Sequence, residues 1–141
     1  MNFNKVVIIV SGVSGAGKST FAKFLEELGG SDDTIICTAD DYFMTNEEYK
    51  FDATKLGYAH NECKTKFTNA LKFEVPLVIV ANTNTKPSDR HVYANLAKKY
   101  EYTVFSVCME NINGTKGIHN VPPETLMKQS AQLRNSLNLY L

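Results

Sequence analysis

Gly12-Val-Ser-Gly-Ala-Gly-Lys-Ser-Thr20 decides how the chain is read, because it satisfies the pattern G-x-x-x-x-G-K-[ST] with Gly12, Gly17, Lys18 and Ser19 in place. Glycines at 12, 15 and 17 let the backbone turn tightly and approach an anion with its N–H groups pointing inward. Lys18 adds a point charge for β and γ phosphates, and the Ser19 hydroxyl is a magnesium (Mg2+) ligand in such loops. The stretch predicts nucleotide phosphates held by Gly12 and by Ser14, Gly15, Ala16, Gly17, Lys18, Ser19 and Thr20.

The flanks have the order that this chemistry needs. Lys5-Val-Val-Ile-Ile-Val10 is a short β-branched run, as expected of a buried parallel strand. Downstream, Phe21, Phe24, Leu25 and Leu28 recur at helical spacing until Gly29-Gly30 ends the pattern. Strand, glycine loop and helix then aim the positive end of the helix dipole at the phosphates.

Further along, 34–38 reads as a second strand, running into Ala39-Asp-Asp-Tyr-Phe43. A long helix is expected over 52–73 with Leu56, Ala59, Cys63, Phe67, Ala70 and Leu71 on one face. A third strand over 75–81, a helix over 88–100, a fourth strand over 102–108 and a last helix over 123–139 complete the pattern. The last helix is expected to turn Leu126, Met127, Leu133 and Leu137 inward. Strands alternating with helices predict an α/β fold, a three-layer P-loop NTPase sandwich with a short parallel sheet of about four strands. Ligands in such sheets sit beyond the carboxyl ends of the strands. That rule gathers the phosphate loop, the 39–43 turn and Asn82-Thr-Asn-Thr85 around one cleft, with 109–121 as a small lid.

The 141 residues, 43% of them hydrophobic, fit a single domain over 1–141. Fifteen basic against fifteen acidic side chains leave no global basic field for non-specific nucleic-acid binding. Three widely separated cysteines suit reduced thiols, and the apolar N-terminal run is one strand long, so a cytoplasmic protein with no membrane partner is expected. His60 has one cysteine, Cys63, at ligand spacing and His91 has no such neighbour, so no His/Cys metal site is expected.

Two adjacent carboxylates, Asp40 and Asp41, follow the second strand, where one can accept the proton of an attacking hydroxyl. They also suit a turn or a helix cap. Charge on a transferred phosphoryl group normally comes from a lid arginine, but 109–121 contains none and offers Lys116 and His119. The third strand ends on uncharged Ala81 and Asn82, which leaves magnesium to Ser19, the phosphates and the aspartates. Arg90, in the first turn of its helix, opposes the helix dipole unless it reaches an acidic partner or a substrate phosphate. Arg134 caps the last helix or contacts ATP, and Tyr42, Phe43, Tyr49 and Phe51 form a patch suited to stacking a base or to a core or flap.

Taken together, Gly12–Thr20, Thr38-Ala-Asp-Asp-Tyr-Phe43, Phe51-Asp-Ala-Thr-Lys-Leu-Gly-Tyr-Ala-His60, Asn82-Thr-Asn84 and His119-Asn-Val-Pro122 resemble the phage polynucleotide 5′-hydroxyl kinase domain and related AAA-type P-loop kinase-like proteins. The resemblance spans nearly the whole chain in order. It implies ATP and Mg2+ as cofactors, Asp40 as general base for a 5′-hydroxyl, and Lys18 and Ser19 on the phosphates and metal. It also implies Asn84 and Arg90 on the acceptor side, with Lys116 in place of the lid arginine, and Asp41 next to the base is expected to bind the acceptor too. The acceptor expected is a nucleic-acid 5′ end or a nucleoside-like hydroxyl. Relatives carry D-N-T-N where this chain has Ala81-Asn-Thr-Asn84 and H-G-V-P where it has Asn120 for glycine. These departures keep open a second reading, a catalytically weak or inactive nucleotide-binding regulatory protein.

Overall fold

The computed structural model describes residues 3–110 and 121–137. Its elements run β1 (Val6–Gly12), α1 (Lys18–Gly29), β2 (Thr34–Cys37), β3 (Met44–Thr45), β4 (Glu48–Tyr49), α2 (Leu56–Lys72), β5 (Leu77–Ala81), α3 (Pro87–Lys99), β6 (Thr103–Met109) and α4 (Pro123–Leu137). Four strands form one parallel sheet in the order β2-β5-β1-β6, with Ile8 opposite Ile79 on one side and Phe105 on the other.

Both central strands are buried on two faces, which is why they read as unbroken apolar runs. Ile8, Val10, Leu77, Ile79 and Ala81 pack against Ala22 and Leu25 of α1. Val7, Ile9, Val78 and Val80 point the other way, onto Ala59, Cys63, Phe67 and Leu71 of α2 and Tyr93 and Ala97 of α3. Phe67 and Tyr93 meet edge to face with ring centroids 5.0 Å apart, locking the two helices over the sheet. The expected three-layer α/β sandwich is therefore present.

Some boundaries and faces differ from the sequence reading. β5 starts at Leu77 rather than 75, after Pro76, which has no N–H for a ladder. Phe24 and Leu56, expected on core faces, are exposed; α1 buries Leu25, as expected, together with Ala22, and α2 starts after a capped turn over Ala53–Lys55. On α4 Leu133 is buried, but Met127 is 73% exposed and belongs to a groove face rather than the core. The expected end of that helix at 139 lies outside the described residues.

A hairpin that the sequence reading lacks follows the Asp40 turn. β3 and β4 pair antiparallel, Met44 with Tyr49 and Thr45 with Glu48, around Asn46 and Glu47, both at positive φ (50° and 64°). Two left-handed residues in succession are what a tight hairpin turn needs to match strand twist. Lys50 N–H closes the base of the hairpin on the Phe43 carbonyl at 2.8 Å.

Candidate functional site

The glycine loop leaves β1 and enters α1 without a break. Gly17 caps the helix at φ 91° and Gly15 sits at φ 84°, both conformations closed to ordinary side chains. A Cβ on Gly12 would stand 2.7 Å from the Met109 carbonyl of β6, so the loop approaches its neighbouring strand as only glycine allows. Gly12 N–H also donates to the Thr83 carbonyl at 3.1 Å, tying the loop to the segment after β5. This cradle of glycine backbone at a helix N-terminus fits an anion of phosphate chemistry.

Lys18 lies over this cradle and donates to the carbonyl of Val13 at 2.9 Å. Burial lowers its ammonium from the ordinary lysine value to about 8, while the Asp40 carboxylate pushes it back up. Lys18 and Asp40, 22 positions apart in sequence, are thus electrostatic neighbours. Ser19 and Thr20 are exposed in the first turn of α1, where a hydroxyl can reach a metal held by phosphates. Among the described residues no group of three or more His, Cys, Asp or Glu is placed to hold a metal by protein side chains.

The Asp40 turn is fixed from several sides. Its residues, Ala39–Phe43, form a short helical turn whose first N–H groups are capped by Thr38, with Asp40 N–H donating to Thr38 Oγ1 at 3.2 Å. The hairpin folds back so that the Tyr49 phenol donates to Asp40 Oδ1 at 3.1 Å. Burial, and then the Asp40 charge, raise that phenol to about 12. Asp41 instead pairs with Lys66 of α2 at 3.6 Å in an exposed ion pair. The two carboxylates are thereby separated into different surroundings. The aromatic patch is real: Phe43 is buried and meets Tyr42, Tyr49 and Phe51, while Phe51 itself stays 56% exposed.

Asn84 and Arg90 are occupied within the protein. Asn84 is buried at φ 46°, a conformation asparagine tolerates, and its amide donates to the Val10 carbonyl at 3.2 Å. Arg90 is 8% exposed and donates to the Asn84 carbonyl at 2.6 Å and to Ser136 Oγ at 3.3 Å. Those acceptors answer the charge that the α3 dipole disfavours. Lys116, with His119 and the rest of the expected lid between 111 and 120, lies outside the described residues.

Helix α4 brings in residues that the sequence reading passed over. Gln129 Oε1 accepts from the Ser14 N–H of the loop at 3.2 Å, and Gln132 Oε1 accepts from Thr85 Oγ1 at 3.0 Å. Ser136 Oγ donates to the Thr85 carbonyl at 2.7 Å. Gln129, Gln132 and Ser136 recur at helical spacing, and that polar stripe was the available signal. Beside it Val13, Leu126, Met127, Ser130 and Arg134 line a groove of about 220 Å³ against the loop.

A glycine cradle between a parallel strand and a helix, inside this sheet, defines a P-loop protein of kinase-like fold. The family model described as AAA domain matches residues 7–135, and the chain belongs to that family. Human NEDD4-binding protein 2 is 33% identical over 99 residues, 70% of this chain; the chain spans 6% of that relative's length. A chain of the Pnkp1/Rnl/Hen1 RNA repair complex superposes with a TM-score of 0.71 at 15% identity, over 100% of this chain and 47% of that one. The APS kinase CysC of Mycobacterium tuberculosis gives 0.56 at 14% identity, over 96% and 99% of the two chains. Kti12 of Chaetomium thermophilum, solved with ADP-AlF3, gives 0.58 at 12% identity, over 89% and 79%. These structures share the fold. Among the described residues no helix is long and apolar enough to cross a membrane.

Proposed function

We propose that this single domain is an ATP-dependent kinase that transfers the γ-phosphoryl group to a hydroxyl of a nucleic-acid 5′ end or a nucleoside-like acceptor. The observation that carries this reading is the glycine cradle at the N-terminus of α1 together with Asp40 in the turn that follows β2, its carboxylate held by the Tyr49 phenol. Lys18 and the loop amides bind the phosphates, and the groove between Val13 and α4 takes the nucleobase beside Arg134. Ser19 would hold magnesium, which when bound would supply positive charge against the phosphates. Asp40 accepts the acceptor's hydroxyl proton as its oxygen bonds to the γ phosphorus, the bond from that phosphorus to the β–γ bridging oxygen breaks, and ADP leaves. Lys116 supplies charge from the lid. Asp41 orients the acceptor beside the turn, and Asn84 and Arg90 support that side through the loop after β5. The RNA repair complex among the structural neighbours supports a nucleic-acid acceptor.

A second reading is favoured by two observations. β5 ends on Ala81 without a carboxylate, and Gln129 fills the Ser14 amide that a phosphate would use. Under it the protein binds nucleotide without turning it over and acts as a regulator. Single-turnover transfer from labelled ATP, measured beside ATP affinity, separates the two. Transfer that disappears in Lys18→Ala supports the kinase, whereas binding without transfer to any acceptor supports the regulator.

A further inference from the structure

Behind the Asp40 turn lies a buried polar chain that the proposed phosphoryl transfer does not itself use. Asn82, 7% exposed at the end of β5, accepts the Ala39 N–H on Oδ1 at 2.8 Å. Its other amide end donates from Nδ2 to Cys63 Sγ at 3.6 Å. Cys63, 3% exposed on α2, receives a second donor, the Tyr93 phenol of α3, at 3.4 Å. Three elements therefore converge on the residue immediately before Asp40.

An asparagine amide has one accepting and one donating end, so its orientation is set by what each end faces. The Ala39 N–H requires an acceptor, and the Cys63 sulfur, an acceptor in this position, requires a donor. The two demands select a single orientation of Asn82. Buried at this depth, a reversed amide would set donor against donor at Ala39 and leave the sulfur facing oxygen. Thr38 Oγ1 already fixes Asp40 N–H from the outside of the turn, so Asn82 is the inner of two pins on consecutive N–H groups.

We infer that Asn82 and Cys63 are positioning residues that set where the Asp40 carboxylate stands relative to Lys18. The inference rests on Asp40 acting as the base. Both residues are buried; Asn82 acts through the Ala39 N–H and Cys63 acts through Asn82. The role of Asn82 is thus to hold the turn beside the strand rather than to draw a metal, which accounts for a polar residue next to Ala81.

The test combines hydrogen exchange at the Ala39 amide with steady-state transfer kinetics for wild type, Asn82→Ala, Cys63→Ala, Cys63→Ser and Asp40→Asn. In Asn82→Ala, Ala39 exchange is expected to speed up roughly tenfold or more. The kcat is expected to fall about 100-fold with KM for ATP little changed, since displacing a reacting group by about 1 Å has that effect. Cys63→Ala shifts both readouts the same way, and Cys63→Ser, which keeps an acceptor, restores them in part. Unchanged Ala39 exchange in Asn82→Ala, or faster exchange with wild-type kcat, would overturn the positioning role while leaving Asp40→Asn dead and the base reading intact. Full turnover in Asp40→Asn would remove the base reading and the positioning role together.

Discussion

Tyr49 donates its phenol to Asp40 Oδ1 at 3.1 Å across the base of a hairpin that the chain forms immediately after the Asp40 turn. The bond ties the carboxylate to the hairpin. Tyr49→Phe retains the ring that stacks on Phe51 but loses the donor. Transfer rates should fall about two- to tenfold, the worth of one such bond, with ATP affinity unaltered. An unchanged rate would mean that the phenol does not orient Asp40.

Gln129 occupies the Ser14 N–H that a bound phosphate would take. Nucleotide must displace this carbonyl, so Gln129→Ala should tighten ATP binding about two- to tenfold as measured by calorimetry. Gln129→Glu should weaken it, because a carboxylate at the cradle repels phosphate and holds the amide more firmly. Weaker binding in the alanine variant would show instead that Gln129 supports the loop.

Burial of Lys18 makes nucleotide binding proton-linked. With its ammonium lowered to about 8, the free protein carries this charge only in part at that pH, and phosphates favour the charged form. Calorimetry near pH 8 in buffers of different ionisation enthalpy should detect uptake of about half a proton per ATP bound. Affinity should decline above that pH by up to about tenfold per unit. The stability of the free protein runs the opposite way. The unfolded chain binds more protons between about 8 and 10.5, so this group makes the fold more stable as pH rises through that window.

Glu101 ends α3 at φ 63°, where glycine is the natural occupant, with Tyr102 N–H closing back on the Ala97 carbonyl at 2.9 Å. Glu101→Gly should stabilise the protein by about 0.5–1 kcal/mol, seen as a rise in Tm, because relief of left-handed strain exceeds the added freedom of the unfolded chain. A lower Tm would contradict the helix-ending role.

The parts of the site legible in the sequence are those built from contiguous residues. Gly12, Gly15 and Gly17 announce positive φ and close approach by being glycine, and the β-branched runs on either side announce buried parallel strands. The hairpin was hidden because its turn uses Asn46-Glu47, and glutamate in a left-handed position is not a hairpin signal. Phe24 and Met127 read as core from the sequence because each sits at the border of an apolar helical stripe, where a single step of 100° decides between core and solvent. The contacts of Asn82 with Ala39 and of Gln129 with Ser14 join segments distant in sequence, and a single uncharged amide announces no partner. Asn84 and Arg90 carry polar atoms that suit a substrate as well as a carbonyl, and only the folded loop reveals that Val10, Asn84 and Ser136 take them up.

The most direct measurement is transfer of labelled γ-phosphate from ATP with magnesium to 5′-hydroxyl DNA, 5′-hydroxyl RNA, hydroxymethylated-base DNA, nucleosides and monophosphates, using wild type, Lys18→Ala and Asp40→Asn. Wild type should label a 5′-hydroxyl or nucleoside-like acceptor, and Lys18→Ala should lose ATP binding and label nothing. Asp40→Asn should bind ATP normally while its rate drops about 10²- to 10⁴-fold. A wild-type rate in Asp40→Asn would contradict the assignment of the base, and silence of the wild type across every acceptor, with ATP bound, would contradict the kinase itself.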